Sequence, residues 1–398
     1  MTDQARSIAV DNAITCASQE PSDSDELKIR RFLCWMKENG ATFPSLTINT
    51  RQGCRQVQAT RSTVPGELVL HVPRRLMITP QVAKESAIGK LIAALGSNVT
   101  DHDYMAAFLL EMKRDGGFWK PYIDMLSTDC SHIPLTFSQS EVDELRGSYI
   151  FRAIRNRRGA HGWLYDQLLS PVLKEQGFTR EEFTWAKCMT TSRAYRVALG
   201  RRESLALAPL ADMLEHSQKN NVLSNHEAET GFLLTARGAA EAGAPLFATY
   251  GKICNARMLN VYGGRMEQNP DNLAEIILWS LLPDHPFFRH STRLGEHREE
   301  RRAFRVRRQY HHTETRKLFS YLRLASLDIT PDTERPTVAL DAADKVPPLS
   351  RDNEIAALTS LAEGCQYRLQ QFGTSIEEDE ALLKDAVLSH NLRNIVMV

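Results

Sequence analysis

Between Leu207 and Tyr262 the chain carries two short apolar runs that each stop at a polar cluster. The first ends in Asp212-Met213-Leu214-Glu215-His216-Ser217. The second follows a turn-rich stretch and ends in Thr249-Tyr250-Gly251, with Asn255 and Tyr262-Gly263 beyond it. Two short apolar strands that terminate in polar residues bring side chains distant in sequence into one pocket, on a scaffold that must be β-rich locally. The segment therefore predicts both a β core and the location of a site.

The rest of the chain alternates in character. Residues 1–24 are polar and end in Pro21-Ser22-Asp23-Ser24, which reads as a disordered tail leading to a helix cap. Leu27, Ile29, Phe32, Leu33, Trp35 and Met36 predict an amphipathic helix stopped at Asn39-Gly40. Val57-Gln58-Ala59 and Leu68-Val69-Leu70-His71-Val72 read as strands around Pro65-Gly66. From about 80 to 205 the pattern is mostly helical, with Tyr104–Leu110 the strongest stretch and a further helix over Glu181–Tyr195. Strands return at Phe232–Leu234 and Leu246–Thr249. After Pro270 helices are expected over Leu273–Leu282, Glu314–Leu327, Asn353–Phe372 and Ile376–Leu388, with a Pro/Asp-rich connector at Thr330–Pro348.

At 398 residues, two or three compact units are the prior. Lys+Arg and Asp+Glu balance at 49 each, so no global charge steers the chain to nucleic acid or to an anionic membrane. No apolar stretch reaches membrane-spanning length, and the N-terminus lacks the pattern of a secretory signal. The seven cysteines are odd in number and scattered without CxxC spacing, which argues for reduced thiols and against a cysteine-bound zinc. A cytoplasmic monomer without metal is the expectation, with the nucleus as the alternative compartment.

Four blocks resemble, in order, SET methyltransferases of the Rubisco large-subunit lysine methyltransferase and actin-histidine methyltransferase type. They are Phe32-Leu33-Cys34-Trp35 with Glu38–Ala41, Ala59-Thr60-Arg61 and Val72-Pro73-Arg74; Phe118-Trp119-Lys120-Pro121-Tyr122-Ile123; Ser192-Arg193-Ala194-Tyr195 with Pro209–Leu214 and Tyr250-Gly251 through Asn255-Ala256 to Tyr262-Gly263; and Thr374–Asp379. Each block alone is weak, and together in register they are specific. The resemblance implies an α+β fold. A β-rich SET core spanning 25–270 would be split by a helical insert at about 85–200. An all-α substrate-binding domain spanning 271–398 would follow and border the substrate cleft. It also implies S-adenosylmethionine as cofactor and a lysine or histidine side chain of a non-histone protein as substrate.

Transfer of a methyl from a sulfonium to a neutral nitrogen needs collinear alignment and exclusion of water, and little acid–base work. By resemblance Tyr250 supplies the aromatic hydroxyl at the methyl. Cofactor contacts would come from Gln52-Gly53-Cys54-Arg55, Arg193, Asp212, Met213, Leu214, Glu215, His216, Tyr262 and Gly263. Arg193 suits a carboxylate clamp. Read without the resemblance, Arg193 is also a helix-surface ion pair, Asp212 a cap or turn residue, His216 a core histidine and Asn255 a turn residue. Two positions depart from the pattern. Glu215 stands where relatives carry asparagine, and a carboxylate only accepts hydrogen bonds. Gly53 is followed by Cys54-Arg55-Gln56 where relatives have a Gly-x-Gly turn, so access to positive φ is lost. The alternative function is thus a catalytically inactive SET-fold binding module.

Other signals are weaker. His226-Glu227 lacks the second histidine of a zinc-protease motif, and His311-His312 has no partner set. Arg298, Arg301, Arg302, Arg305, Arg307 and Arg308 read as a solvated helix face, or else as a docking surface for an acidic protein or, ranked below it, for RNA. Phe118, Trp119 and Tyr122 read as core, or as the wall of a substrate channel.

Overall fold

A computed structural model describes residues 23–51, 54–96, 99–199, 202–227, 230–298, 300–307, 313–327, 346–384 and 388–397. The chain divides into two compact units. One comprises residues up to Ser138 with Ile154–Gly251 and Arg257–Glu267; the other comprises Gln139–Ala153, Lys252–Ala256 and Gln268 onward. Among the described residues no helix is long and apolar enough to cross a membrane.

In the first unit, the helix Asp23–Glu38 buries Ile29, Phe32, Trp35 and Met36, the three-and-four spacing of one helix face. Gly40, at φ +80°, then turns the chain. Strands β1 (Leu46–Arg51) and β2 (Cys54–Ala59) form a hairpin. Strand β3 (Leu68–Pro73) pairs antiparallel with β8 (Gly231–Ala236), which pairs in turn with β7 (Val222–Glu227). At the β3–β8 junction Gly231 sits at φ +126°, and a Cβ there would lie 2.1 Å from the Val72 carbonyl oxygen, so this close approach requires glycine. Strands β4 (Tyr195–Leu199) and β5 (Arg202–Ala206) form a second hairpin, and the two-residue strands β6 (Glu215–His216) and β9 (Phe247–Ala248) pair in parallel.

The insert between β3 and β4 is helical, as its periodicity predicts. The helix Asp101–Asp115 starts at a Thr100/Asp103 capping box and buries every residue from Asp103 to Glu111, because it lies at the centre of its unit. The helix Arg180–Arg193 starts at a second capping box, Thr179/Glu182, and buries Phe183, Trp185, Ala186, Cys188, Met189 and Thr190. An ion pair from Lys187 to the buried Asp103 ties the two helices together.

The second unit corrects one expectation. The α+β class stands, but the segment after Pro270 is not all-helical. Leu273–Trp279 is strand β10, and with β12 (Arg301–Arg307) and β11 (Glu296–Arg298) it makes a three-stranded antiparallel sheet in the order β10-β12-β11. The run Glu275-Ile276-Ile277-Leu278-Trp279 is β-branched and aromatic, and cross-strand burial outweighs its helix-like length. The arginine run is likewise a strand and not a helix face. Arg301, Arg302, Arg305 and Arg307 are interleaved with Ala303, Phe304 and Val306, Phe304 is fully buried and Arg302 is buried at 3% exposure. Arg301 lies over the Trp279 ring at 3.1 Å from its centroid. Helices Thr313–Ala325, Arg351–Leu369, Ile376–Lys384 and His390–Val396 belong to the same unit, together with the short helices Gln139–Asp143 and Phe288–Ser291. A two-pronged pair from Arg323 to Glu354, at 2.7 and 2.8 Å, joins the first two. His311-His312, Arg308 and most of the Thr330–Pro348 connector lie outside the described residues.

Candidate functional site

The parallel pairing of β6 and β9 sets Glu215 opposite Phe247 and His216 opposite Ala248, which brings the two polar clusters of the sequence side by side. Ahead of β6 the chain passes through Leu210, fully buried at φ +72° and ψ −42°. That is a sparsely populated conformation for a branched residue, and such strain tends to mark functional segments. The short 3-10 turn Ala211–Met213 follows, and the carbonyls of Ala211 and of the C-cap residue Leu214 each take a side-chain donor.

Those carbonyls are read by tyrosines. The Tyr250 hydroxyl donates to the Leu214 carbonyl at 2.8 Å, and the Tyr195 hydroxyl to the Ala211 carbonyl at 2.9 Å. The rings of His216, Tyr250 and Tyr262 form a continuous stack, with centroids 5.1 Å apart for the first pair and 4.6 Å for the second. The His216 Nδ1 accepts the Tyr250 backbone N–H at 3.0 Å, so that nitrogen carries no proton and the imidazole pins β9 to β6. Tyr262 ends the helix Asn255–Tyr262. Gly263 follows at φ +73°, and a Cβ there would lie 2.3 Å from the His132 carbonyl oxygen.

Asp212, Arg193 and Glu215 bring charge to these elements. Asp212 is buried, and its Oδ2 accepts the Tyr122 hydroxyl at 2.5 Å and faces Arg193 Nη1 at 3.8 Å. Arg193 Nη1 also donates to the Asp212 carbonyl at 3.0 Å. Among the described residues, Asp212 Oδ1 is buried without a hydrogen-bond partner. Desolvation raises the Asp212 carboxyl to about 6, against the opposing pull of Arg193 and the Tyr122 hydrogen bond. Burial raises Glu215, with no cation to offset it among the described residues. Burial also lifts Tyr250 above the ordinary phenol range, so it stays a neutral hydroxyl.

The Asp212 shift has a measurable sign. Its folded pKa of about 6 lies above the unfolded value near 3.8, so over that interval the folded chain keeps a proton the unfolded chain has lost. Stability from this group is present below the unfolded pKa and is lost as pH rises through the folded one, by about 2–3 kcal/mol in all. Urea unfolding of wild type and Asp212→Asn at pH 4 and pH 7 checks this. The advantage of wild type over the variant shrinks at the higher pH, and an unchanged difference would show that the carboxyl is ionised in the fold at both.

Of the residues singled out in the sequence, Tyr250, Arg193, Asp212, Leu214, Glu215, His216 and Tyr262 lie on this one group of elements, with Met213 in the turn and Gly263 at its edge. Gln52 and Gly53 lie outside the described residues, and Cys54 begins β2. Arg55 is engaged elsewhere: it pairs with Asp25 on the first helix and donates to the Met125 carbonyl at 2.7 Å. Tyr122 and Tyr195 belong to the site although they were not assigned to it. Tyr195 follows Arg193 by two residues, which is the sequence signal for it, whereas Tyr122 stands in the Phe118-Trp119-Tyr122 cluster and reaches Asp212 only through the tertiary fold.

The comparisons with known proteins bear on the fold and on overall similarity. The family described as Rubisco LSMT substrate-binding matches residues 283–398. Actin-histidine N-methyltransferases resemble most of the chain: that of Canis lupus familiaris is 26% identical over 393 residues, and that of Homo sapiens is 26% identical over 388, each match covering 89% of this chain. The chain spans 64% and 63% of the length of those relatives. The solved SET domain of LSMT bound to lysine and AdoHcy superposes with a TM-score of 0.71 at 21% identity, covering 94% of this chain and 88% of that one. Rubisco LSMT bound to AdoMet superposes at 0.69 with 23% identity, covering 93% and 87%. The chain therefore has the SET fold of LSMT, matches the Rubisco LSMT substrate-binding family model over residues 283–398, and is similar along most of its length to the actin-histidine N-methyltransferases.

Proposed function

We propose that the chain is an S-adenosylmethionine-dependent protein N-methyltransferase acting on a lysine or histidine side chain of a protein substrate. The observation that carries this reading is the Tyr250 hydroxyl, held by the Leu214 carbonyl inside an aromatic stack beside the Arg193–Asp212 pair. The residues present fit the cofactor: Asp212 Oδ1 is a buried acceptor lacking a donor among the described residues, and Arg193 offers a guanidinium fork next to it. Arg193 would take the carboxylate of the amino-acid moiety. The segment Asp212–His216 with Tyr262 and Gly263 would enclose the remainder.

The bound cofactor supplies an electrophilic methyl on sulfur, ready for in-line displacement. Tyr250 spends its proton on Leu214, so its lone pairs face the aromatic enclosure. They can accept C–H and N–H contacts, orienting the methyl and the incoming nitrogen. As a neutral phenol raised by burial, Tyr250 orients and is not a base. A lysine nucleophile would lose its proton to solvent first, and turnover on lysine would rise toward alkaline pH. The stack of His216, Tyr250 and Tyr262 excludes water from the transfer line.

Glu215 is one of the two departures from the resembled pattern, and it is half-buried with no compensating cation among the described residues. A carboxylate in that state gains most from a ligand that brings positive charge. Glu215→Asn is thus expected to weaken binding or turnover about tenfold, the scale of one charged hydrogen bond. A gain in turnover would instead show that the carboxylate hinders a site built for an amide.

Calorimetric titration with S-adenosylmethionine and with S-adenosylhomocysteine tests the reading itself. Micromolar binding that disappears in Arg193→Ala supports it. No heat at millimolar ligand, from a protein shown to be folded, would leave the non-catalytic binding module as the better account.

A further inference from the structure

In the first unit, the helices Pro80–Glu85, Ala87–Ala93 and Asp101–Asp115 line, together with Trp119, an open groove of about 470 Å³. None of its lining residues belongs to the candidate site. Phe108, Met112 and Trp119 make its apolar walls, with the Phe108 and Trp119 rings meeting edge to face at 5.3 Å between centroids. Trp119, which the sequence left between core and channel wall, is half-buried here.

The polar atoms set the sign of what the groove can hold. Two of its lining side chains carry donors, and both donors are spent. The Trp119 indole N–H donates to the Leu76 carbonyl at 3.0 Å, and the Ser86 hydroxyl donates to the Ala83 carbonyl at 2.8 Å. Two carboxylates remain, Glu85 and Glu111. Glu85 is exposed, whereas Glu111 is only 7% exposed. Glu111 Oε1 accepts the Ile88 backbone N–H at 3.1 Å, and its Oε2 is buried with no hydrogen-bond partner among the described residues. Among those residues no lysine or arginine lines the groove. Cations on the adjoining helices are engaged elsewhere: Lys84 pairs with Asp101 at 2.7 Å, Lys113 lies over the Trp185 ring, and Arg114 holds Asp115 and the Gln176 carbonyl. A buried carboxylate with one backbone donor and apolar neighbours lacks the positive charge that offsets its desolvation.

We propose that this groove is a docking site for the guanidinium of an arginine side chain presented by a partner protein. An acceptor-only lining suits a group with five donors and no acceptor, and an anion would meet two carboxylates and no free donor. Arginine fits better than lysine, because its planar, weakly hydrated head packs on aromatic rings while pairing with a carboxylate. Its methylene stem covers the apolar wall at Met112. A free metabolite is normally enclosed on most sides. Here Glu85 and Ala87 are exposed and the groove stays open, which leaves the backbone of the arriving segment outside.

The test follows the methionine methyl resonances of the full chain, with that of Met112 assigned through Met112→Leu. The probes are n-butylguanidinium, its neutral isostere n-butylurea, and the peptide acetyl-Gly-Arg-Gly-amide. Both guanidinium probes are expected to shift the Met112 methyl with half-saturation at about 1–10 mM, the range for a single anchored side chain. The urea binds at least tenfold more weakly. Glu111→Gln keeps an acceptor for the Ile88 N–H and weakens guanidinium binding at least tenfold. Glu85→Gln, at an exposed position that leaves the fold intact, weakens it a few-fold and carries the test should Glu111→Gln fail to fold. Equal shifts from the urea, or unchanged binding in the folded variants, would overturn the proposal. Binding of n-butylguanidinium but not of the peptide would also overturn it, by making the groove a site for a free organic cation. None of these readouts depends on methyl transfer.

Discussion

On the proposed function, Tyr250→Phe is expected to slow methyl transfer about 100- to 1000-fold while leaving affinity for S-adenosylmethionine within a few-fold, the signature of losing one preorganised polar group at the reacting centre. The ring remains, so the stack between His216 and Tyr262 persists, and only the oxygen that Leu214 holds is removed. A structural cost also follows, because the Leu214 carbonyl loses a donor; it amounts to about 1 kcal/mol. Single-turnover rates, cofactor titration and urea unfolding on the same preparation separate the effects. A fall in stability large enough to explain the lost rate, or a rate unchanged from wild type, would remove Tyr250 from the reacting centre.

Arg193→Ala acts on binding and on the fold together. Cofactor affinity falls at least tenfold, since a charge-assisted contact to a carboxylate is worth about 1.5–3 kcal/mol. Stability falls by a further few kcal/mol, about the cost of leaving one partner of a buried pair alone. Among the described residues, Arg193 is the cation that opposes the desolvation of Asp212, whose carboxyl is fully buried. The double variant Arg193→Ala/Asp212→Asn is therefore expected to recover much of the stability and none of the affinity. Arg193→Lys keeps the charge but not the fork, and falls between. If the double variant recovers both, Arg193 serves the fold alone.

Much of this arrangement was legible in the residues. The polar ends of two apolar runs identified Asp212–His216 and Tyr250, and β6 pairing with β9 joins them. Helices over 101–115 and 180–193 carried clear periodicity and capping boxes. The misreadings have physical causes. Leu273–Trp279 is a short apolar run, and periodicity alone does not separate a buried strand from a helix segment of that length. The arginines of β12 suggested a solvated face because their count was read before their alternation with Ala303, Phe304 and Val306. Strands β4, β5 and β7 are rich in polar residues such as Arg196, Glu203, Ser204, Ser224, Asn225 and His226, and partners supplied by the tertiary fold give them their structure. The inward turn of Tyr122 toward Asp212 depends on a contact across 90 residues, which no local pattern encodes.

The pairing of β3 with β8 has a consequence in time. Pro73 lies opposite Gly231, so an early strand waits for a partner roughly 160 residues downstream. Strand β8 belongs to the excursion between β6 and β9, the strands that seat Glu215 and Tyr250. During synthesis, at typical elongation rates, β3 would emerge about 10–30 s before its partner exists. Over that interval its apolar face and open edge are available to other chains, and the helical insert is made before the scaffold it interrupts. The pocket would then be the last feature to assemble, so yield of the active protein is expected to depend on chaperone supply and growth temperature more than on equilibrium stability.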